Sequence, residues 1–156
     1  MSWWKGLSIV IVIAFLQESI PMFNLKTHRE CFMKIVVVED SAVIRKHFIA
    51  LLESVSEVKV VGEAESEQAA LDMIPALQPD IVVLDVNLSP GNGFNVLKQL
   101  RASGNTAEIF VVTNQTHEQY RKMSVTLGAN GFYDKSNGIE NVLARIKTLV
   151  ESGKAN

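Results

Sequence analysis

Residues 79–88 read PDIVVLDVNL, and the four apolar positions inside that stretch, Ile81 to Leu84, decide how the chain folds. Three of the four are β-branched and no polar residue alternates with them, so a strand here has both of its faces buried. Strands of that kind belong to parallel sheets covered by helices on each side. Runs of the same character flank it at Ile35 to Val38, Val58 to Val61 and Ile109 to Val112, with a shorter one from Gly131 to Tyr133. Between the runs, apolar residues recur at helical spacing. Ile44, Phe48, Leu51, Leu52 and Val55 form one such face, Ala70, Met73, Ile74 and Leu77 a second, and Phe94, Leu97 and Leu100 a third. Pro75 removes a backbone donor from the second, which predicts a kink or a weak turn there before Pro79 ends the helix. Thr116 with Gln119 three residues on reads as a capping box opening a fourth helix that stops at Gly128. Asn137 with Glu140 caps a fifth, whose apolar face is Ile139, Val142, Leu143, Ile146, Leu149 and Val150. Five strands alternating with five helices through short connections predict an α/β fold, a doubly wound parallel sheet.

The chain has 156 residues, room for one domain of ordinary size, and its 47% hydrophobic and 21% charged residues exclude disordered and collagen-like classes. Lys+Arg 15 against Asp+Glu 17 gives a net charge of -2, which does not indicate a broad nucleic-acid-binding face. A single cysteine, Cys31, rules out an internal disulfide framework. One stretch, Leu7 to Leu16, concerns membranes, but its ten residues fall short of the roughly 20 that a spanning helix needs. Lys5 in front of it resembles the start of a signal peptide, yet no small-x-small cleavage site follows before Pro21. Residues 1–32 therefore read as an appendage to a domain over 33–156. A start placed too early, with Met33 or Met22 the true first residue, leads over an interfacial apolar segment or an export signal.

Ligands of doubly wound sheets bind at the carboxyl ends of the strands, and the residues that end these runs are polar. Glu39-Asp40-Ser41 follow the first, Asp85 the third, Thr113-Asn114 the fourth and Asp134-Lys135 the fifth. Three carboxylates close together repel one another unless a cation is present. Mg2+ suits Glu39, Asp40 and Asp85, because it prefers hard oxygen ligands and binds one or two carboxylates together with phosphate oxygens. A carboxylate beside it can attack phosphorus and form an acyl phosphate. Asp85, alone at the end of the central run, is the expected nucleophile. Thr113 could donate to one phosphoryl oxygen and Lys135 neutralise another, which is the work phosphoryl transfer requires.

With Gly93 eight residues after Asp85 and Phe132 three before Lys135, these positions make residues 33–156 similar to the receiver domain of bacterial two-component response regulators. The resemblance implies a flavodoxin-like sheet and transfer of a phosphoryl group to Asp85 from a histidine kinase or histidine phosphotransfer protein. It implies Mg2+ ligation by Asp40, Asp85 and the backbone carbonyl of Asn87, with Glu39 acting through a water. Thr113 and Phe132 would form a switch pair that alters the face of the fourth helix, fifth strand and fifth helix. Such a domain catalyses its own phosphoryl uptake and loss without turning over a metabolite. Two positions depart from the commonest pattern: Ser136 stands where many receivers have a proline, and Asn114 where a small residue is usual.

Plainer readings exist for single residues. Phe132 could be core, Asp134 a solvated strand end, and Gly91-Asn92-Gly93 a turn, since Val96 stands where a phosphate-binding glycine motif has its third glycine. His47 and His117 read as helix-surface or packing residues. A Mg2+-dependent hydrolase with an aspartyl-phosphate intermediate is the alternative function, disfavoured because Asn87 replaces the second acid expected two residues after the nucleophile. A constitutive interaction domain that ignores phosphate is a third class. The expectation is a stand-alone, cytoplasmic signalling module, with no direct DNA contact because no helix-turn-helix follows, and no stable membrane span. N-terminal sequencing of the protein from its native source is expected to begin at Met33 or Met22; a chain beginning at Met1 would make the appendage genuine.

Overall fold

A computed structural model describes residues 32–153; the expectations for residues 1–31 lie outside them. In chain order the elements are β1 (Met33–Val38), α1 (Ala42–Leu52), β2 (Val58–Ala64), α2 (Glu67–Leu77) and β3 (Ile81–Leu84). They continue with α3 (Gly93–Ala102), β4 (Glu108–Thr113), α4 (Glu118–Thr126), β5 (Gly131–Asp134) and α5 (Ile139–Glu151). The strands form one parallel sheet in the order β2-β1-β3-β4-β5. That order is the flavodoxin-like one, and its direction reverses between β1 and β3.

The apolar run at β3 behaves as its composition predicts. Val82 and Leu84 point into a layer shared with Val36, Val38, Ile109 and Val111, which α2 and α3 cover through Ile74, Leu97 and Leu100. Ile81 and Val83 point the other way, joining Ile35, Val37, Phe110 and Val112 beneath Phe48 and Leu52 of α1 and Val142 and Ile146 of α5. All four β3 residues are buried, so alternation along the strand feeds two cores instead of one core and solvent. α4 is attached differently. Ser124 is its one buried residue, and Met123 and Val125 are 50% and 67% exposed.

Local signals explain where three helices begin. The side chain of Ser41 accepts from the Ile44 N–H at 3.4 Å, Ser66 from Ala69 at 3.2 Å and Asn92 from Phe94 at 2.8 Å, each satisfying a donor the first turn leaves free. Two expected caps do not form. α4 starts after His117, without a side-chain cap, because Thr116 lies one position too early to face the first-turn amides. α5 starts after Gly138 and not Asn137. There the Gly138 N–H donates to the Asp134 carbonyl at 2.6 Å, closing a turn that carries the helix start past Asn137. Pro75 lies in the last turn of α2, which ends two residues later at Leu77 with Gln78 in the left-handed region at φ 46°. The helix thus continues past the proline for two residues before Gln78 ends it.

Leu97 is fully buried beneath the sheet, so Leu97→Ala is expected to cost about 2–5 kcal/mol in chemical denaturation. Val125→Ala, on the exposed side of α4, should stay within about 0.5 kcal/mol of the parent under the same conditions.

Candidate functional site

The parallel register brings the ends of β1 and β3 side by side, with Val38 opposite Leu84. Hydrogen bonding continues one residue further, as the Asp85 N–H donates to the Val38 carbonyl at 2.9 Å and the Glu39 N–H to Ala64 on β2 at 2.9 Å. Glu39 and Asp85 therefore leave the sheet at the same level. Oxygens of Glu39, Asp40 and Asp85 all lie within 4.8 Å of one another. From the far side of β4, the Lys135 N–H donates to the Thr113 carbonyl at 3.0 Å. That bond sets the lysine at the same rim, and its ammonium stands 2.7 Å from Asp85 Oδ2 and 2.6 Å from Glu39 Oε2.

The site is nearly dry. Glu39 is 1% exposed, Asp85 3% and Thr113 fully buried, while Asp40 is half-buried and opens toward solvent. Burial pushes the Glu39 carboxyl above the ordinary carboxylate range, and the nearby ammonium offsets this only in part. For Lys135, burial alone would lower the value, but hydrogen bonds to Asp85 and then Glu39 outweigh it, so the ammonium is held protonated more firmly than usual. One ammonium cannot balance three acids. Asp85 Oδ1 is buried with no hydrogen-bond partner, a costly condition that a divalent cation among the three carboxylates would relieve. The donor set of hard carboxylate oxygens fits such an ion.

The remaining expected residues stand around this centre. Thr113 ends β4 with its Oγ1 accepting from the Gln115 N–H at 3.2 Å. Asn87, exposed in the loop after β3, bridges to Asn92. The loop returns closely enough that a Cβ on Gly93 would collide with the Asp85 carbonyl oxygen, which explains a glycine eight residues after the acid. Phe132 pairs with Val111 across β4 and β5. Its ring is half-buried, with the Arg121 guanidinium 4.8 Å from the ring centroid. His47, exposed on the surface of α1, and Asn114 line an open cleft with Val43, Ile44, Phe48 and Lys135. His117 precedes α4 and is exposed.

Two contacts were not foreseen from the sequence. Asp134 Oδ1 accepts from both the N–H of Ser136, at 2.8 Å, and its hydroxyl, at 2.7 Å. These bonds hold the Asp134 carboxyl below the usual range. The pair shapes the turn after Lys135, where the Lys135–Ser136 peptide is trans; Ser89–Pro90 is the cis bond of the described residues. An Asp-x-Ser spacing was the available signal. The second is Arg45, whose Nη1 donates to the Glu39 carbonyl at 2.7 Å.

Fold and site together define a phosphorylation-controlled signalling domain. Residues 35–147 match the family described as response regulator receiver domain, and the chain belongs to that family, which serves two-component signalling. Among curated proteins it is 33% identical over 124 residues to the DNA-binding transcriptional activator DevR/DosR of Mycobacterium tuberculosis, covering 79% of this chain and 56% of that one. It is 36% identical over 124 residues to a protein-glutamate methylesterase/protein-glutamine glutaminase of Halalkalibacterium halodurans, covering 78% and 36%. The chain thus spans about half or less of the length of these relatives. A solved LuxR-family two-component response regulator from an Aurantimonas species shares the fold at TM-score 0.72 and 24% identity, covering 78% of this chain and 86% of that one. The response regulator domain of Thermotoga maritima CheB does so at 0.68 and 23%, covering 78% and 95%. No helix among the described residues is long and apolar enough to cross a membrane.

The sign of the Glu39 shift has a measurable result. A carboxyl raised on folding contributes stability below its unfolded value and loses it as pH rises through the folded one. In metal-free buffer, Glu39→Gln should therefore gain in thermal midpoint relative to the parent as pH climbs out of the carboxylate range, and Mg2+ should narrow the gap. A difference that does not vary with pH would contradict the burial of an ionised Glu39.

Proposed function

We propose that Asp85 accepts a phosphoryl group from the phosphohistidine of a histidine kinase or a histidine phosphotransfer protein. The observation that carries this reading is the state of the Asp85 carboxylate: one oxygen is tied to Lys135, and the other is buried and unpartnered beside two further acids. An Asp85 oxygen attacks phosphorus as the P–N bond breaks, and that bond's electron pair leaves on the imidazole nitrogen, giving an acyl phosphate and a neutral histidine. Asp40, Asp85 and the backbone carbonyl of Asn87 would hold Mg2+, with Glu39 acting through a water. When bound, that ion supplies charge neutralisation between the carboxylate and the incoming phosphoryl oxygens. Lys135 neutralises a second phosphoryl oxygen and Thr113 donates its hydroxyl to a third.

The new group brings about -1.5 to -2 charges to a rim already crowded with acids. Thr113 and Phe132 act as the switch pair that carries this change to the face formed by α4, β5 and α5. In this reading residues 33–156 are the receiver, residues 1–32 an appendage, and the protein works in the cytoplasm, where a kinase can reach Asp85. DNA binding belongs to the names of some relatives, which are matched over about half their length. The described residues present an acidic rim and two helical layers, so output here is proposed to pass through protein contact. Hydrolysis of a metabolite ester is not favoured, since Asn87 offers no second acid.

Incubation with acetyl phosphate and Mg2+, followed by intact-mass measurement, is expected to show one added phosphoryl group. Asp85→Asn should show none, and Lys135→Met should slow uptake by about two to three orders of magnitude. Equal labelling of Asp85→Asn would remove Asp85 from this role.

A further inference from the structure

Arg45 is a member of α1 and not of the acidic rim, yet its side chain is only 12% exposed. Its guanidinium makes three directed approaches. Nη1 donates to the Glu39 carbonyl at 2.7 Å, Nε to Glu63 Oε2 at 2.8 Å, and Nη2 stands 4.0 Å from Glu65 Oε2. The carbonyl in question belongs to the peptide joining Glu39 to Asp40, two of the three clustered acids. The Glu39 N–H is itself fixed to Ala64 at 2.9 Å, next to Glu63 on β2. A closed ring results, running from the Glu39 backbone to β2, from β2 through Glu63 to Arg45, and from Arg45 back to Glu39. The ring ties both the N–H and the carbonyl of Glu39.

An ion pair to half-exposed Glu63 and well-exposed Glu65 contributes little stability by itself, because solvent screens it. The fork to the carbonyl is different in kind. It is charge-assisted and largely shielded from water, and with Nη1 on the Glu39 carbonyl and Nε on Glu63 the residue uses two guanidinium nitrogens at a fixed angle, which an ammonium cannot provide. We propose that Arg45 is a positioning residue for the cation and phosphoryl site: it sets the Glu39–Asp40 peptide so that both carboxylates meet Asp85. The inference rests on the reading of that site given above and extends it to a residue that touches neither ion nor phosphoryl group.

Titration calorimetry of Mg2+ into the full protein tests it without relying on phosphorylation. Arg45→Met keeps the apolar stem and loses the fork, so it should weaken Mg2+ binding about tenfold or more. Affinities are compared well below the thermal midpoint of each variant, so that stability lost with the charge-assisted bond is not read as lost Mg2+ binding. Arg45→Lys should recover little of the affinity, and Glu63→Gln, which frees one arm of the fork while leaving Arg45 in place, should lose affinity in the same direction but less. Asp40→Asn serves as the reference for loss of a ligand. Wild-type Mg2+ affinity in Arg45→Met, together with weakened binding in Asp40→Asn, would overturn the role of Arg45 alone. Failure of the parent itself to bind Mg2+ would overturn the reading of the site and this inference with it. Should Arg45→Met not fold, an unchanged affinity in Glu63→Gln would count against the proposal.

Discussion

The sharing of one ammonium between Glu39 and Asp85, in a place almost closed to water, is the constraint on which the site depends. Lys135 lies 2.6 and 2.7 Å from the two acids, and Asp40 adds a third negative group at the solvent side. Burying such a group without full compensation is unfavourable. The protein tolerates it because each charged residue sits one or two steps beyond the end of a strand whose backbone is already fixed. Rigidity comes from the sheet, and the unbalanced charge is what remains for chemistry.

That arrangement follows from β3 being apolar on both faces. Its residues feed two cores at once, which requires helices above and below, and the helical crossovers in turn make all five strands parallel. Parallel strands put every carboxyl end on one edge. Acids that are 45 residues apart in the chain, Asp40 and Asp85, become neighbours through the β1–β3 register, and Lys135 arrives from two strands away.

Much of this could be read from residue order. The runs at Ile35, Ile81 and Ile109 and the helical spacing between them depend on periodicity, a local property that survives without knowledge of the fold. The polar residues closing those runs were visible for the same reason. Less legible were features that arise only when distant segments meet. The starts of α4 and α5 shifted by a residue: α4 begins without a side-chain cap, and at α5 the turn closed by the Gly138 N–H decides the start. The Asp134–Ser136 bonds, in place of a proline turn, needed the geometry after β5. Arg45 looked like any cation on an amphipathic helix, since nothing in its neighbourhood announces that its fork reaches back to the Glu39 carbonyl.

The two hydrophobic layers are held mainly by α1, α2, α3 and α5, whereas α4 contributes one fully buried residue, Ser124, and the partly buried Tyr120. Such a helix is cohesive along its own axis but weakly moored to its neighbours. Local opening of an element with so little buried apolar surface costs less than opening one that lines either layer. The cation–ring contact of α4 with β5 is made by Arg121, whose guanidinium stands 4.8 Å from the Phe132 ring centroid, so the loosest helix is tied through that ring to the strand that ends at the site.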